Sequence, residues 1–441
     1  MEETARDTVL SVLLDIEQKN TFSNIALDKA LRRCQFSDKQ ERAYITRTVE
    51  GVTESRLLID HIIGGFSKTK LKSMRPIIRN VLRMGCFELL FMDSIPARAT
   101  ISECVKIVRK HNMANLTGFT NAILRSISRK TEGELSEGQS IIERLDSLGK
   151  LFEIKEEWLK YSTPEWIYGF LKANFGEEKA VLVLRDEFND RGLPVRVNRR
   201  KISREELKEK LIAAGIEVED GRYSDKILLV RNIDFVRKIP GYKDGLFSVQ
   251  AESSAASIEA AEIKEGMRIL DLCAAPGGKS CYAAEILNGT GEVVSRDISE
   301  EKTWIIEENT KRLGLPEVRI SAKDATEYEA ELEESFDLVI ADVPCSGLGV
   351  IGKKNDIKYR ITPEDLKGLS EISLSILDNA VRYVKKGGKL LFSTCTINPG
   401  ENQSVTEKML EKYELELIKE RSFLQGVDDT DGFYYAVLLK K

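Results

Sequence analysis

Residues 269–280, Ile269-Leu270-Asp271-Leu272-Cys273-Ala274-Ala275-Pro276-Gly277-Gly278-Lys279-Ser280, leave few local structures open. A short apolar run, fit for a buried strand, meets a proline and two glycines and then a helix start. Pro276 restricts φ, and Gly277 and Gly278 reach backbone angles closed to residues with side chains. With no Cβ at two successive positions, a ligand can approach the main chain closely. The helix that follows, from about Ser280 through Leu287, directs its free N–H groups at that ligand. A nucleotide-like cofactor is held in this way at the carboxyl end of a parallel strand. A ligand-free strand–turn–helix connection has the same local pattern. The first glycine of G-x-x-x-x-G-K-[ST] is missing, which disfavours a Walker phosphate loop.

The turn belongs to a longer alternation. Strands are expected at 268–273, 292–296, 317–321, 336–341 and 388–393, with helices at about 250–262, 280–287, 300–313, 364–385 and 401–412. Two late strands, near 414–419 and 434–439, follow. Such alternation implies right-handed crossovers and a mostly parallel sheet, an α/β Rossmann-like domain over 246–441.

The preceding chain differs. Residues 4 to 130 read as helices only, with Ala5, Val9, Val12, Leu13 and Ile16 at helical spacing, and further segments over about 38–63, 69–92, 97–112 and 115–129. An all-α bundle of six or seven helices is expected over 1–130. Residues 131–149 read as a linker. Residues 150–245 read as a small α+β module, with a helix opened by Ser162-Thr163-Pro164 and strands at 194–198, 216–218 and 227–230.

Composition narrows the class. At 441 residues, with 32% charged residues, the chain is a multidomain globular protein. No run approaches the roughly 18 apolar residues of a membrane helix, and the acidic start is not a secretory signal. Seven cysteines without a C-x-x-C pair point to free thiols in a reducing cytoplasm rather than disulfides or zinc. The two histidines, His61 and His111, lie far in sequence from the glycine turn, and no metal site is expected. Residues 1–130 hold 22 Lys+Arg against 14 Asp+Glu, while the whole chain is at −5. A basic part joined to an acidic one suits a polyanionic partner; a solvated helical surface gives the same composition.

Acids recur at the expected strand ends: Asp271, Asp297, Asp324 and Asp342. Asp297 lies 26 residues beyond Asp271, where a doubly wound fold places the acid for ribose hydroxyls. Cys345 and Cys395 also follow strands, flanked by Pro, Ser, Thr and Gly, whereas Cys34, Cys86, Cys104 and Cys281 fall within helical segments, as packed thiols do. A thiol at a strand-to-helix turn suits a nucleophile.

Asp271-x-Cys273-Ala274-Ala275-Pro276-Gly277-Gly278-Lys279, Asp342-x-Pro344-Cys345-Ser346-Gly347 and Ser393-Thr394-Cys395-Thr396-Ile397-Asn398-Pro399-x-Glu401-Asn402 together resemble the RNA cytosine-5 methyltransferases that use S-adenosyl-L-methionine. The likeness spans about 160–441, including Arg196-Val197-Asn198. Arg79-x-x-Leu82-x-x-Gly85-x-x-Glu88-Leu89 and Phe119-x-Asn121-Ala122-x-Leu124-Arg125 resemble the RNA-binding domain of the antitermination factor NusB. The combination implies an enzyme acting on small-subunit (16S) ribosomal RNA, cytoplasmic and monomeric, without DNA or membrane partners. The resemblance assigns Cys395 to attack and Cys345 to product release; the residues alone do not rank them, and DNA cytosine-5 methyltransferases use the Pro-Cys thiol. It also assigns the cofactor loop to Cys273 through Lys279, ribose to Asp297, the adenine amino group to Asp324, and the methionine part to Asp342, which also faces the cytosine edge. A non-catalytic RNA-binding protein that keeps this fold is the alternative.

Overall fold

The computed structural model describes the chain except residues 1–3, 34–37 and 234. Cys34 therefore lies outside the described residues. The chain forms two compact units: residues 1–189 with 351–360, and residues 190–350 with 361–441.

The first unit is helical. Among the described residues, seven α-helices precede residue 132: Ala5–Gln18, Ser23–Arg33, Lys39–Glu54, Arg56–Gly65, Pro76–Phe91, Ala97–Lys110 and Thr117–Thr131. Pro76 occupies the first turn of its helix, where its missing N–H costs nothing. Val9, Val49, Leu58, Ile59, Val81, Leu82 and Leu124 are fully buried. Glu88, 1% exposed, is satisfied by Arg6 (2.7 Å), the Tyr44 hydroxyl (2.6 Å) and Thr100 Oγ1 (2.7 Å), so part of the NusB-like motif is a buried polar clasp.

Four expectations change here. The segment 38–63 is two helices, broken at Ser55, and Ser162 Oγ accepts from the unpaired amide of Leu57 at 2.8 Å in the second helix's first turn. Ser162 therefore does not cap its own helix, which begins after Pro164 as Glu165–Phe175. The expected linker contains a helix, Ile141–Leu151, opened by a Ser140–Glu143 capping box and tied to Asp93 through Arg144 at 2.7 Å. Residues 150–189 group with the helical unit, not with the strands that follow. Within that unit, Lys358, 1% exposed, pairs with Glu187 at 2.9 Å, and the Tyr359 hydroxyl donates to Ser162 O at 2.9 Å. Loss of either member of such a buried pair strands a charge.

The second unit holds two sheets. The smaller contains β1 (Leu193–Val197), β2 (Glu217–Asp220), β3 (Ile227–Arg231) and β4 (Phe247–Val249), antiparallel in the order β2-β3-β1-β4. Its core is Val195, Val197, Leu228, Val230 and Phe247 against Leu207 and Leu211 of the helix Arg204–Ala213. Strand β4 pairs with β1 across the boundary expected at 246, so the pattern change there is not a structural seam.

The larger sheet contains β5 (Arg268–Asp271), β6 (Glu292–Asp297), β7 (Val318–Ala322), β8 (Phe336–Asp342), β9 (Val384–Thr394), β10 (Leu415–Phe423) and β11 (Phe433–Lys440). Its order is β10-β11-β9-β8-β5-β6-β7, parallel from β9 to β7, with β11 and β10 antiparallel. Successive strand residues feed opposite faces. Ile269, Leu338 and Leu391 meet the helices Glu252–Ala260, Gly278–Leu287 and Glu300–Leu313. Leu270, Val339 and Leu390 meet Pro363–Tyr383 and Gln403–Lys412. The fold is thus a helical bundle, a small α+β module and a Rossmann-like α/β domain. Among the described residues, no helix is long and apolar enough to cross a membrane.

Candidate active site

The strand order reverses between β5 and β8, and in a doubly wound sheet the ligand crevice opens there, at the carboxyl ends of the strands. A cavity of about 220 Å³ occupies this place. Cys273, Ala274, Ala275, Pro276, Gly278, Lys279, Asp342 and Cys395 line it, together with Asp271. Gly277 has φ of 101°, a left-handed conformation that lets the chain turn straight into the helix Gly278–Leu287.

Asp271 is fully buried. Ser280 Oγ donates to its Oδ2 at 2.6 Å, while Oδ1 has no hydrogen-bond partner. Burial pushes its carboxyl up to about 7. Ser253 Oγ, also fully buried and at the same cavity, is unpartnered too. Two orphaned polar atoms beside a glycine turn fit a polar ligand that completes them. S-Adenosyl-L-methionine, with an ammonium, a carboxylate and ribose hydroxyls, has groups to supply.

Asp297, 4% exposed, accepts from the amides of Ala275 (2.9 Å) and Ile298 (2.8 Å) and pairs with Lys302 at 2.9 Å. It was expected at the ribose; here it braces the glycine turn through the Ala275 amide and is not among the residues lining the cavity. Asp324 accepts from the Thr326 hydroxyl and amide at 2.7 and 2.8 Å, which hold its carboxyl below the usual range. It lines a separate recess with Arg296, Lys323 and Glu329.

Asp342 connects the glycine turn to the strand β9 that leads to Cys395. Lys279 Nζ donates to one oxygen at 2.7 Å and Ser393 Oγ to the other at 2.7 Å. Lys279 also lies 5.0 Å from the Phe433 ring centroid, so its charge is held between a carboxylate and an aromatic face. The sulfurs of Cys345 and Cys395 are 3.3 Å apart, brought together by the adjacent strands β8 and β9. Cys395 is half-buried and faces the cavity; Cys345 is also half-buried but does not line it. The contact with Cys395, then burial, then the Glu401 charge push the Cys345 thiol well above its ordinary value. Burial and three nearby carboxylates likewise raise Cys273, which makes it a poor thiolate. Gly349 N donates to Cys395 O at 3.1 Å and Gly349 O accepts from Gly432 N at 2.8 Å; a side chain at Gly349 would strike the Gly432 carbonyl.

The sequence reading missed Gln250, Ser253 and Ser254, which reach the cavity from the start of the helix Glu252–Ala260, and Asp431 and Phe433 at the start of β11. The signal for the first three is a polar run at a helix start; Asp431 and Phe433 have none. Cys86, Cys104 and Cys281 are packed in cores, as expected.

The sequence model of the 16S rRNA methyltransferases RsmB/F matches residues 259–439, that of the NusB family residues 3–129, and that of the RsmF/B-like ferredoxin-like domain residues 163–235. A Bacillus subtilis (strain 168) relative named as a probable ribosomal RNA small subunit methyltransferase B is 32% identical over 462 residues, covering all of both chains. The chain belongs to the RsmB/F methyltransferase family. The Vibrio vulnificus (strain YJ016) member, ribosomal RNA small subunit methyltransferase B, is 30% identical over 99% of each chain. A solved structure superposes on the whole chain with a TM-score of 0.81 at 23% identity, covering 99% of that chain. A methyltransferase homolog from Pyrococcus horikoshii superposes on 65% of this chain and 98% of its own, with a TM-score of 0.58 at 24% identity. These likenesses show the fold. As an RsmB/F member the protein is a methyltransferase, and the glycine turn with its orphaned acceptor and hydroxyl is the candidate site for its methyl donor.

Proposed function

We propose that this methyltransferase acts on carbon 5 of a cytosine in small-subunit (16S) ribosomal RNA, with S-adenosyl-L-methionine as cofactor and a covalent cysteine adduct as intermediate. The observation that carries this reading is the pair of sulfurs 3.3 Å apart in the segments just after β8 and β9, with Cys395 facing the cavity. The named substrates of the relatives point the same way.

Carbon 5 of cytosine is too weak a nucleophile to take a methyl group unaided. The Cys395 thiolate adds to carbon 6, forming an S–C bond and leaving an enamine-like carbon 5. When bound, the cofactor supplies an electrophilic sulfonium methyl, and the new C–C bond forms as the methyl–sulfur bond breaks. A base then takes the carbon-5 proton, the Cys395–carbon bond breaks, and the thiolate is restored. Cys345, whose thiol is pushed well above its ordinary value first by the contact with Cys395 and then by burial, assists that departure. Asp342, fixed by Lys279 and Ser393, contacts the cytosine edge.

By the family resemblance Cys273 through Lys279 form the cofactor loop, Asp297 serves the ribose from behind that loop, which it braces, and Asp324 serves the adenine amino group from its separate recess. The basic helices before about residue 130 supply RNA affinity, residues 150–245 support docking, residues 246–441 carry the chemistry, and the protein acts as a monomer. Bisulfite sequencing of 16S ribosomal RNA from cells with and without the gene tests this. The expected result is one cytosine whose protection is lost with the gene. Unchanged protection at every cytosine would refute the reading and favour a non-catalytic RNA-binding role.

A further inference from the structure

Glu401 is fully buried, in the loop between β9 and the helix Gln403–Lys412. Its Oε1 accepts from the Ser346 amide at 2.8 Å. Its Oε2 accepts from Ser346 Oγ at 2.6 Å, Asn398 Nδ2 at 2.9 Å and, at the limit, Thr396 Oγ1 at 3.5 Å. Ser346 Oγ and Thr396 Oγ1 are themselves 2.7 Å apart. All these donors are neutral, so packing alone does not explain a carboxylate here. Their positions do. Ser346 directly follows Cys345, and Thr396 directly follows Cys395. One carboxylate grips the residue next to each thiol. Asn402 fixes the second loop from the other side, accepting from Thr394 Oγ1 at 2.6 Å and donating to Thr396 O at 2.9 Å.

We propose that Glu401 is a positioning residue that sets the separation of the Cys345 and Cys395 sulfurs. The inference rests on the reading of those thiols as the reacting pair. Glu401 touches neither sulfur; it acts through Ser346 and Thr396. A shift of about 1 Å between reacting groups costs on the order of a hundredfold in rate, so slackening this grip falls on turnover rather than on cofactor binding.

The test is Glu401→Gln in the full chain, with Cys395→Ala run in parallel. Turnover, KM for S-adenosyl-L-methionine and calorimetric binding of S-adenosylhomocysteine are measured. Thiol spacing is read directly with phenylarsine oxide, whose arsenic bonds two sulfurs and releases water only when both are in reach. The expected result for Glu401→Gln is a kcat at least about tenfold lower, arsenical binding weakened to a similar degree, and KM and cofactor binding within about twofold of wild type. Wild-type kcat, or lowered kcat with unchanged arsenical binding, would overturn the proposal. Should Glu401→Gln fail to bind S-adenosylhomocysteine, Ser346→Ala and Thr396→Val, each releasing one arm, carry the same measurements. Methyl transfer retained by Cys395→Ala would refute the covalent reading; transfer lost there with a wild-type Glu401→Gln would refute the positioning role alone.

Discussion

Replacing Asp271 with Asn should stabilise the protein at neutral pH while weakening its hold on the cofactor. The carboxyl is fully buried and lifted from 3.8 to about 7 by loss of solvation, with Ser280 Oγ as its close donor. At 1.36 kcal/mol per pH unit, ionising it in the fold costs roughly 4 kcal/mol relative to the unfolded chain. A raised folded-state pKa contributes stability that is present below about 4 and lost as pH climbs through about 7. Asn keeps an acceptor for Ser280 and removes the titration. Urea unfolding of the two proteins at pH 5 and pH 8 should show the variant's advantage growing by roughly 3 kcal/mol between those values. An advantage independent of pH, or a variant less stable at pH 8, would refute the reasoning. A ligand that brings a positive group to the bare Oδ1 stabilises the carboxylate. Binding of S-adenosyl-L-methionine near pH 7 should therefore release a proton in wild type and none in Asp271→Asn, as read by calorimetry in buffers of different ionisation heat. A residue that lowers stability at working pH and is kept in a ligand cavity is accounted for by the ligand.

Asp297→Ala should weaken S-adenosyl-L-methionine binding by about 1.5–3 kcal/mol, since it removes both a charged acceptor and the brace on Ala275 N; unchanged calorimetric affinity would remove Asp297 from the site. Arg125 and Arg129 are exposed on the helix Thr117–Thr131. Replacing both with Ala should lower the slope of log affinity for ribosomal RNA against log salt by about 0.7 for each phosphate that an arginine no longer neutralises, and an unchanged slope would place the RNA elsewhere.

The parallel strands were legible because they are short apolar runs ending in acids or in thiol-bearing turns, and that edge is where a doubly wound sheet binds ligands. Strand β10 was expected to stop near 419. It continues to Phe423 because an edge strand tolerates Glu420, Arg421 and Ser422 facing water. The break at Ser55 was invisible because the acceptor that takes the Leu57 amide there, Ser162 Oγ, lies more than a hundred residues away in sequence. The helix Ile141–Leu151 was overlooked although Ser140-x-x-Glu143 is a capping box visible in sequence. The grouping of residues 150–189 with the preceding helices was not legible, because helicity alone does not say which neighbours a helix joins. At the site, Asp271, the glycine turn, Asp342 and Cys395 converge on one crevice, Cys345 touches it only through the Cys395 sulfur, and Asp324 and the bracing Asp297 stand outside it. Ser253 and the grip of Glu401 were not legible, since both depend on loops distant in sequence meeting in space.

The most direct test of the chemistry separates the two thiols. Wild type, Cys395→Ala and Cys345→Ala are incubated with small-subunit ribosomal RNA and S-adenosyl-L-methionine, then run on a denaturing gel that preserves only covalent complexes. Cys345→Ala should accumulate a protein–RNA band, because attack and methylation proceed while the departure of Cys395 is slowed. Cys395→Ala should give neither the band nor methylated RNA. A band from Cys395→Ala with none from Cys345→Ala would reverse the roles, and no band from either, with methylation intact in both, would contradict the covalent mechanism.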